Sequence, residues 1–511
     1  MSDVKDIINV LSKPSKEDVA FITKAYTFAK NAHKDHFRKS GELYFKHLFA
    51  TAKGLAEIGM GPTTIAAGFL HDTIEDVHVT PEDIRKKFGD EVLFLVEGVT
   101  KLGSLKYRGT KRHTEALRKL FVATSQDVRV VIIKLLDRRH NMQTLEYVSP
   151  QKRKRIALET LEIYAPIADR LGIGRLKREL EDLAFPYVYP QEYEETRKLL
   201  EEATRHALKH LPKLLKQLQK ALVKDQLVRF RTEHRVKGLY SLYKKLERKG
   251  SDISKIHDIL AVRIIVTSED DCYRALGSVH RLWKPIPGKI KDYIAFPKPN
   301  GYRSLHTTVF AGQSGTVEIQ IRTEDMHRRA QYGIASHFSY KAVLSGGRRE
   351  SAFEWIRQLL PSLRPQQQRL SAKGAPKHKR SESALADVPK WIKEMAEAQE
   401  ELEESEHFLK AAKADFFSHR VFVFTPHGDV IDLPIDASPI DFAYNVHSDI
   451  GNHISGAKVN GKLVSLDTKL TNGDIVEIVT KESAMPSPKW LEMAKTTLAK
   501  RHIRSVLQQE R

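Results

Sequence analysis

The sequence predicts a multidomain chain: an all-α N-terminal part, an α/β middle and a small β-rich module near the C-terminus. Three observations carry this. The chain has 511 residues, more than one domain accommodates. Apolar residues recur at helical spacing from residue 1 to about 185, in YFKHLFATAKGLAEI, TIAAGFLHDTIEDV and RKRIALETLEIYAPIADRL. Near residue 256 the chain becomes strand-like, in IHDILAVRIIV and GTVEIQIRT, with helical stretches around them.

In chain order, Gly61-Pro62 and Ser149-Pro150 separate the N-terminal helices. Residues 190 to about 226 form a charged helical connector, QEYEETRKLLEEATRHALKHLPKLLKQLQKAL. The α/β segment follows. Residues 344–352 and 361–388 are rich in Gly, Ser, Pro, Gln and basic residues and read as linker. WIKEMAEAQEELEESEHFLKAAKA returns to helix. From 420 the chain becomes short strands, RVFVFTPHGDVIDLP and AKVNGKLVSLDTKLTNGDIVEIVT, with Asn-Gly turn signals at 460 and 472.

Composition bounds the function. Hydrophobic residues make up 41% and charged residues 29%. No apolar stretch approaches the roughly 18 residues of a membrane-spanning helix, so no transmembrane segment is expected. The N-terminus lacks a basic segment followed by an apolar one, so no secretory signal is expected. Cys272 is the only cysteine. That excludes an internal disulfide and a thiolate zinc cluster, and fits a cytoplasmic protein. The net charge of +20 points to polyanionic partners: nucleotides, RNA or an anionic membrane.

The stretch HDTIED, residues 71–76, crowds one histidine and three carboxylates behind an apolar run. On a continuous helix His71 and Glu75, like Asp72 and Asp76, are i,i+4 neighbours. His47 lies in an earlier helical segment, and Asp137 follows the apolar run VVIIKLL. Solvated helix-end charges account for HDTIED alone. A divalent cation accounts for the whole set, because a carboxylate against an apolar run is costly without a partner. His47, His71, Asp72 and Asp137 make a mixed N/O set suited to Mn²⁺, leaving Glu75 and Asp76 to orient water.

The stretches RKSGELYFKH, FLHDTIEDV, IKLLDRRHNM and TLEIYAPIADRLGI resemble the HD-type hydrolase domain of the RelA/SpoT family, long enzymes that make and degrade (p)ppGpp. The resemblance implies Mn²⁺ on His47, His71, Asp72 and Asp137, water activation by Glu75 and Asp76, and a nucleotide pocket lined by Arg38, Lys39, Asn141 and Thr144. Two departures, DRRHNMQT for DRLHNMRT and EDV for EDT, remove no implied ligand.

A second constellation begins with RVKGLYSLYKKLERKG. Lys237, Ser241 and Lys245 fall at i, i+4 and i+8, one polar stripe if the segment is helical throughout. It reads either as a solvated basic face or as a polyphosphate site. In TVEIQIR, Val317, Ile319 and Ile321 alternate with Glu318, Gln320 and Arg322. Asp258 and Glu318 can converge on Mg²⁺. Between them, KDYIAFPKPNGYRSLHTT offers Lys291, Lys298, Asn300 and Arg303 for phosphates and Tyr302 for stacking on a base.

This segment is similar to the RelA/SpoT synthetase domain, which implies a nucleotidyltransferase-like fold. The resemblance implies ATP over Arg235, Lys237, Ser241 and Lys245, Mg²⁺ on Asp258 and Glu318, and GDP or GTP against Lys291, Lys298, Asn300, Tyr302 and His306. GKIKDY resembles the basic RFKD motif of bifunctional members. Arg303 departs from the family's usual Gln, with an expected effect on nucleotide preference or rate.

HRVFVFTPHGDVIDLP and the strands after it resemble the TGS domain, a small β-grasp module. This implies deacylated tRNA and the ribosome as partners, with His447 the expected tRNA contact. The expected domains are 1–185 hydrolase, 186–230 connector, 231–342 synthetase, 343–418 linker with basic insertion, 419–481 TGS, and 482–511 the start of a further helical region. The family's distal zinc-finger and ACT modules have no counterpart in the sequence. The expected function is a bifunctional (p)ppGpp synthetase and hydrolase. The alternatives are a hydrolase alone, or a tRNA- or ribosome-binding regulator with weak catalysis.

Overall fold

The computed structural model describes residues 3–77, 79–103, 123, 127–256, 258–298, 300–312, 315–335, 420–471 and 473–509. The expected linker at 343–418, its basic insertion, its helix and Asn472 lie outside the described residues. The chain divides into two compact units, Met1–Glu397 and Ala398–Arg511.

After a single helical turn at Lys5–Ile8, the first unit forms α1 (Lys16–Ala32), started by a capping box in which Ser15 Oγ accepts from Asp18 N and Asp18 accepts from Ser15 N. Then follow α2 (Phe45–Glu57), α3 (Pro62–Leu70), the one-turn α4 (Thr73–Asp76), a short helix at Pro81–Phe88, α5 (Asp90–Gly103) and, further along, α6 (Val128–Gln143). α3 buries every residue from Thr64 to Leu70 and α6 every residue from Val128 to Ile133. Helix stretches buried on every side belong at the centre of a bundle; α6 carries Asp137 there, and His71 and Asp72 follow directly on the end of α3. The bundle continues through α7 (Pro150–Glu159), a π-helical turn (Thr160–Tyr164), α8 (Ala165–Arg170) and α9 (Gly174–Val188).

The 35-residue α10 (Pro190–Lys224) is more than a connector. Its Leu211, Leu214, Leu218 and Leu222 enter the core beneath a five-stranded sheet of order β1-β2-β5-β4-β3. The strands are β1 (Phe230–Val236), β2 (Leu260–Val266), β3 (Lys291–Asp292), β4 (Leu305–Phe310) and β5 (Thr316–Thr323). Only β2 and β5 are parallel; the other pairs are antiparallel. Val317, Ile319 and Ile321 face this core, as their alternation predicts, together with α12 (Glu269–Leu282). α11 (Leu239–Arg248) follows β1, and α13 (Glu324–Tyr332) follows β5.

The helical bundle and the sheet are joined through two backbone carbonyls of the bundle, those of Asp169 and Leu171. Ile334 N donates to Leu171 O at 2.9 Å, and Asn300 Nδ2 donates to Asp169 O at 3.2 Å. Gly333, at φ +53°, sits where a Cβ would lie 2.0 Å from Leu171 O.

The second unit pairs β6 (Arg420–Phe424) with β7 (Val430–Pro434), and β8 (Ile454–Val459) with β9 (Lys462–Val464) and β10 (Val476–Thr480). A parallel bridge, Phe424 to Ile475, links the two sets into the expected β-grasp. Asn460 and Gly461, both at positive φ, make the tight β8–β9 turn. α14 (Pro439–Val446) covers the sheet, and α15 (Ser448–Asn452) follows. The terminal α16 (Thr497–Gln509) packs here as well: Ala499 and Ile503 share a core with Ile440, Ala443 and Tyr444. Fully buried Asp441 fastens it by accepting from Lys495 N, Thr496 N and Thr496 Oγ1. Among the described residues no helix is long and apolar enough to cross a membrane.

Candidate active sites

The first site lies inside the helical bundle. α2 supplies His47, α6 supplies Asp137, and the turn between α3 and α4 supplies His71 and Asp72. The expectation of one continuous helix through HDTIED is corrected: α3 stops at Leu70 and α4 restarts at Thr73, with Asp72 at its N-cap. The break turns His71 and Asp72 together into the bundle and leaves Glu75 and Asp76 exposed.

Ligand atoms of the buried His47, His71 and Asp137 lie within 4.8 Å of one another, a candidate metal site. Asp72 joins them: its Oδ2 lies 3.2 Å from His71 Nε2 and 3.5 Å from His47 Nε2, and Asp137 Oδ1 lies 3.3 Å from His47 Nε2. His71 Nδ1 donates to Gly68 O at 2.9 Å, so its other ring nitrogen points a lone pair into the cluster. That nitrogen is buried without a hydrogen-bond partner. Two imidazole lone pairs facing two carboxylates fit a divalent cation. Without one the imidazole must take a proton: burial opposes charge on His71, but Asp72 and Asp137 outweigh it and raise the ring to about 9. Asp137 is held well below the usual carboxylate range, its burial overcome by Lys134 and the two histidines. Burial and Asp72 push Glu75 upward.

Three supporting residues escaped the sequence reading. Lys134 Nζ lies 2.6 Å from Asp137 Oδ2. Tyr44 donates to Asp72 Oδ2 at 2.8 Å. His140 contacts both His47 and Arg38. A lysine inside the apolar run VVIIKLLD was the one available signal, since a buried ammonium needs an anion. Of the expected pocket residues, Arg38 donates to Asn141 Oδ1, Asn141 donates to Asp137 Oδ1 at 2.5 Å, and Thr144 ends α6. Lys39 is exposed.

The second site lies on the polar face of the sheet. The expected helical stripe is corrected at its first member. Lys237 is not helical, because β1 ends at Val236 and Gly238, extended at ψ 145°, caps α11. The turn still delivers it: Lys237 Nζ and Lys245 Nζ lie 2.8 and 2.5 Å from the same atom, Asp258 Oδ2. Burial would raise Asp258, but the two ammonium groups hold it at about 2. Ser241 donates to Glu181 Oε2 at 3.4 Å, and Tyr240 N donates to Asp182 Oδ1 at 3.0 Å, both carboxylates coming from α9.

Glu318 pairs in register with Ala261, three residues after Asp258. A relay leads to it: Tyr302 OH donates to His306 Nε2 at 2.7 Å, and His306 Nδ1 donates to Glu318 Oε1 at 3.1 Å. Burial lowers His306, which keeps the ring neutral as this relay requires. Lys298 Nζ sits 4.7 and 5.1 Å from the ring centres of Tyr293 and Tyr302. Lys291 pairs with His306 across β3 and β4. Asn300 is turned toward Asp169, and Arg303 forms a two-pronged ion pair with Glu269 rather than extending the phosphate-binding set.

Arg235 shares the polar face with two arginines that were not among the expected site residues, Arg263 and Arg322. Both donate to Gln320 Oε1 at 3.2 Å, and burial with the neighbouring guanidinium groups lowers Arg263 to about 10. The alternation in EIQIR was the signal for Arg322, and for Arg263 its place as the one charged residue in the apolar run LAVRIIV. In the second unit His447 is exposed and its Nδ1 accepts from Asp449 N, a capping role at α15.

Residues 25–174 match the HD domain, residues 234–344 the region found in RelA/SpoT proteins, and residues 421–480 the TGS domain. A GTP pyrophosphokinase of Myxococcus xanthus is 42% identical over 96% of this chain and 61% of its own length. A guanosine-3′,5′-bis(diphosphate) 3′-pyrophosphohydrolase of Aquifex aeolicus is 42% identical over 96% of this chain and 65% of its own length. The bifunctional (p)ppGpp synthase/hydrolase SpoT of Escherichia coli K12 is 39% identical, with the same 96% and 65% coverage. The chain thus spans about three fifths of the length of these curated relatives. The chain thus carries the HD, RelA/SpoT and TGS domains in this order, and its likeness to these relatives runs along nearly its whole length.

Proposed function

We propose that the chain is a bifunctional alarmone enzyme. It transfers pyrophosphate from ATP to the 3′-OH of GDP or GTP, releasing AMP, and it hydrolyses (p)ppGpp to GDP or GTP and pyrophosphate. The observation that carries this reading is the presence of two separate charged centres in one unit: the histidine–carboxylate cluster in the bundle and the lysine–carboxylate cluster on the sheet. Relatives named for each activity, and one named for both, support it.

In the hydrolase half, His47, His71, Asp72 and Asp137 would hold Mn²⁺; in the synthetase half, Asp258 and Glu318 would hold Mg²⁺. When bound, these ions would lower the pKa of water and neutralise charge on the phosphates. Glu75, exposed at the mouth and raised in pKa, accepts a proton from water, with Asp76 beside it. Arg38, Lys39, Asn141 and Thr144 line the nucleotide side.

In synthesis the 3′-oxygen attacks the β-phosphorus of ATP, its proton passes to Asp258, and the bond to the α-phosphate oxygen breaks. Lys237 and Lys245, adjacent on Asp258, bind the polyphosphate beside Arg235 and Ser241. Tyr302 stacks on guanine, held by His306, with Lys291, Lys298 and Asn300 shaping the acceptor loop. Residues 1–185 and 231–342 are the two catalytic domains. The chain acts in the cytoplasm, and the TGS domain contacts deacylated tRNA in the ribosome, with His447 at that surface. Nucleotide chromatography tests the reading: ATP, GDP and Mg²⁺ should yield ppGpp and AMP, and ppGpp with Mn²⁺ should yield GDP. Product in only one tube, or in neither, would refute it.

A further inference from the structure

We propose that His140 is a positioning residue that fixes the metal-facing tautomer of His47 and couples it to Arg38; this rests on the reading of His47, His71, Asp72 and Asp137 as a metal site. His140 follows Asp137 by three residues on α6. Its Nδ1 lies 2.8 Å from Arg38 Nη1 and 3.0 Å from His47 Nδ1. A guanidinium only donates, so His140 Nδ1 is an acceptor. The nitrogen of His47 that shares this acceptor must then carry a hydrogen. That leaves the lone pair of His47 on Nε2, the atom 3.3 Å from Asp137 Oδ1 and 3.5 Å from Asp72 Oδ2. His71 reaches the same state through Gly68 O, a backbone acceptor. His47 has a side chain for this purpose.

Arg38 closes the frame from outside. One of its terminal nitrogens engages His140, which contacts His47; the other donates to Asn141, which donates to Asp137. One guanidinium on the hairpin before α2 therefore braces two of the four cation-facing residues through consecutive residues of α6. An outer acceptor of this kind typically sets metal affinity by about 10- to 100-fold.

The test is Mn²⁺ binding to the full chain, by calorimetry and by the free-ion electron paramagnetic resonance signal. Asn at 140 keeps an acceptor at the δ position, whereas Gln moves it one bond further out. His140→Ala and His140→Gln should weaken Mn²⁺ by about 10- to 100-fold, while His140→Asn stays within about threefold of wild type. Metal-free melting temperatures would check folding, and the Asn/Gln contrast holds even if the Ala variant folds poorly. Equal affinities for Asn and Gln would overturn the proposal. Equal Mn²⁺ binding by wild type and His71→Ala, or none by wild type, would instead overturn the metal reading beneath it.

Discussion

Asp182 on α9 accepts a hydrogen bond from the backbone N–H of Tyr240, in the first turn of α11, at 3.0 Å. A residue of the helix that closes the bundle thereby caps the helix that carries Ser241 and Lys245. Asp182→Ala should cost about 1 kcal/mol of stability. It should also raise the KM for ATP severalfold while leaving hydrolysis unchanged. Asp182→Asn, which keeps the acceptor, should restore most of both. Denaturant unfolding and ATP titrations of synthesis provide the readings.

Glu181, one residue earlier, is pushed by burial up to about 7. A carboxyl raised in the folded state costs stability once ionised. The folded chain holds its proton where the unfolded chain has lost it, so stability falls as pH rises from the ordinary glutamate range to about 7. Glu181→Gln should remove that slope and stabilise the unit by roughly 1–3 kcal/mol above pH 7, with little effect near pH 4. Melting curves at several pH values would show it; an unchanged slope would mean that Glu181 ionises freely.

Gly333 has positive φ and no room for a side chain against Leu171 O. Gly333→Ala should destabilise the first unit by about 3 kcal/mol or more, because the obstructing atom is backbone and cannot rotate away. A melting temperature within a degree or two of wild type would show that the junction between bundle and sheet is loose.

Arg303 stands where the family usually has Gln, and its guanidinium is committed to Glu269 and to Ile294 O. Arg303→Gln should therefore leave the GDP-to-GTP preference within about twofold and cost no more than about 1 kcal/mol, as partly exposed ion pairs do. A large change in preference would place Arg303 at the nucleotide after all.

The parts of this architecture set by local periodicity were legible in the sequence. The alternation through Val317, Ile319 and Ile321 gave β5 and its core face, and Asn460-Gly461 gave the β8–β9 turn. Residue types gave His47, His71 and Asp137, and the structure brings them together. The helix break at His71 was hidden, because the apolar spacing runs on through it and only packing turns the pair inward. Lys237 misled in the same way: its spacing to Ser241 and Lys245 is helical, but Gly238 interrupts it. Lys134 was legible, an i,i+3 neighbour of Asp137 inside an apolar run, whereas His140 and Asp182 act on residues that only folding brings near them.

The central claim is that one chain carries two independent catalytic centres. Synthesis and hydrolysis measured side by side on wild type, Asp72→Ala and Glu318→Ala test it most directly. The account predicts that Asp72→Ala loses hydrolysis by about 10³-fold or more and keeps synthesis, and that Glu318→Ala does the reverse. Loss of both activities in both variants, or of neither, would contradict it.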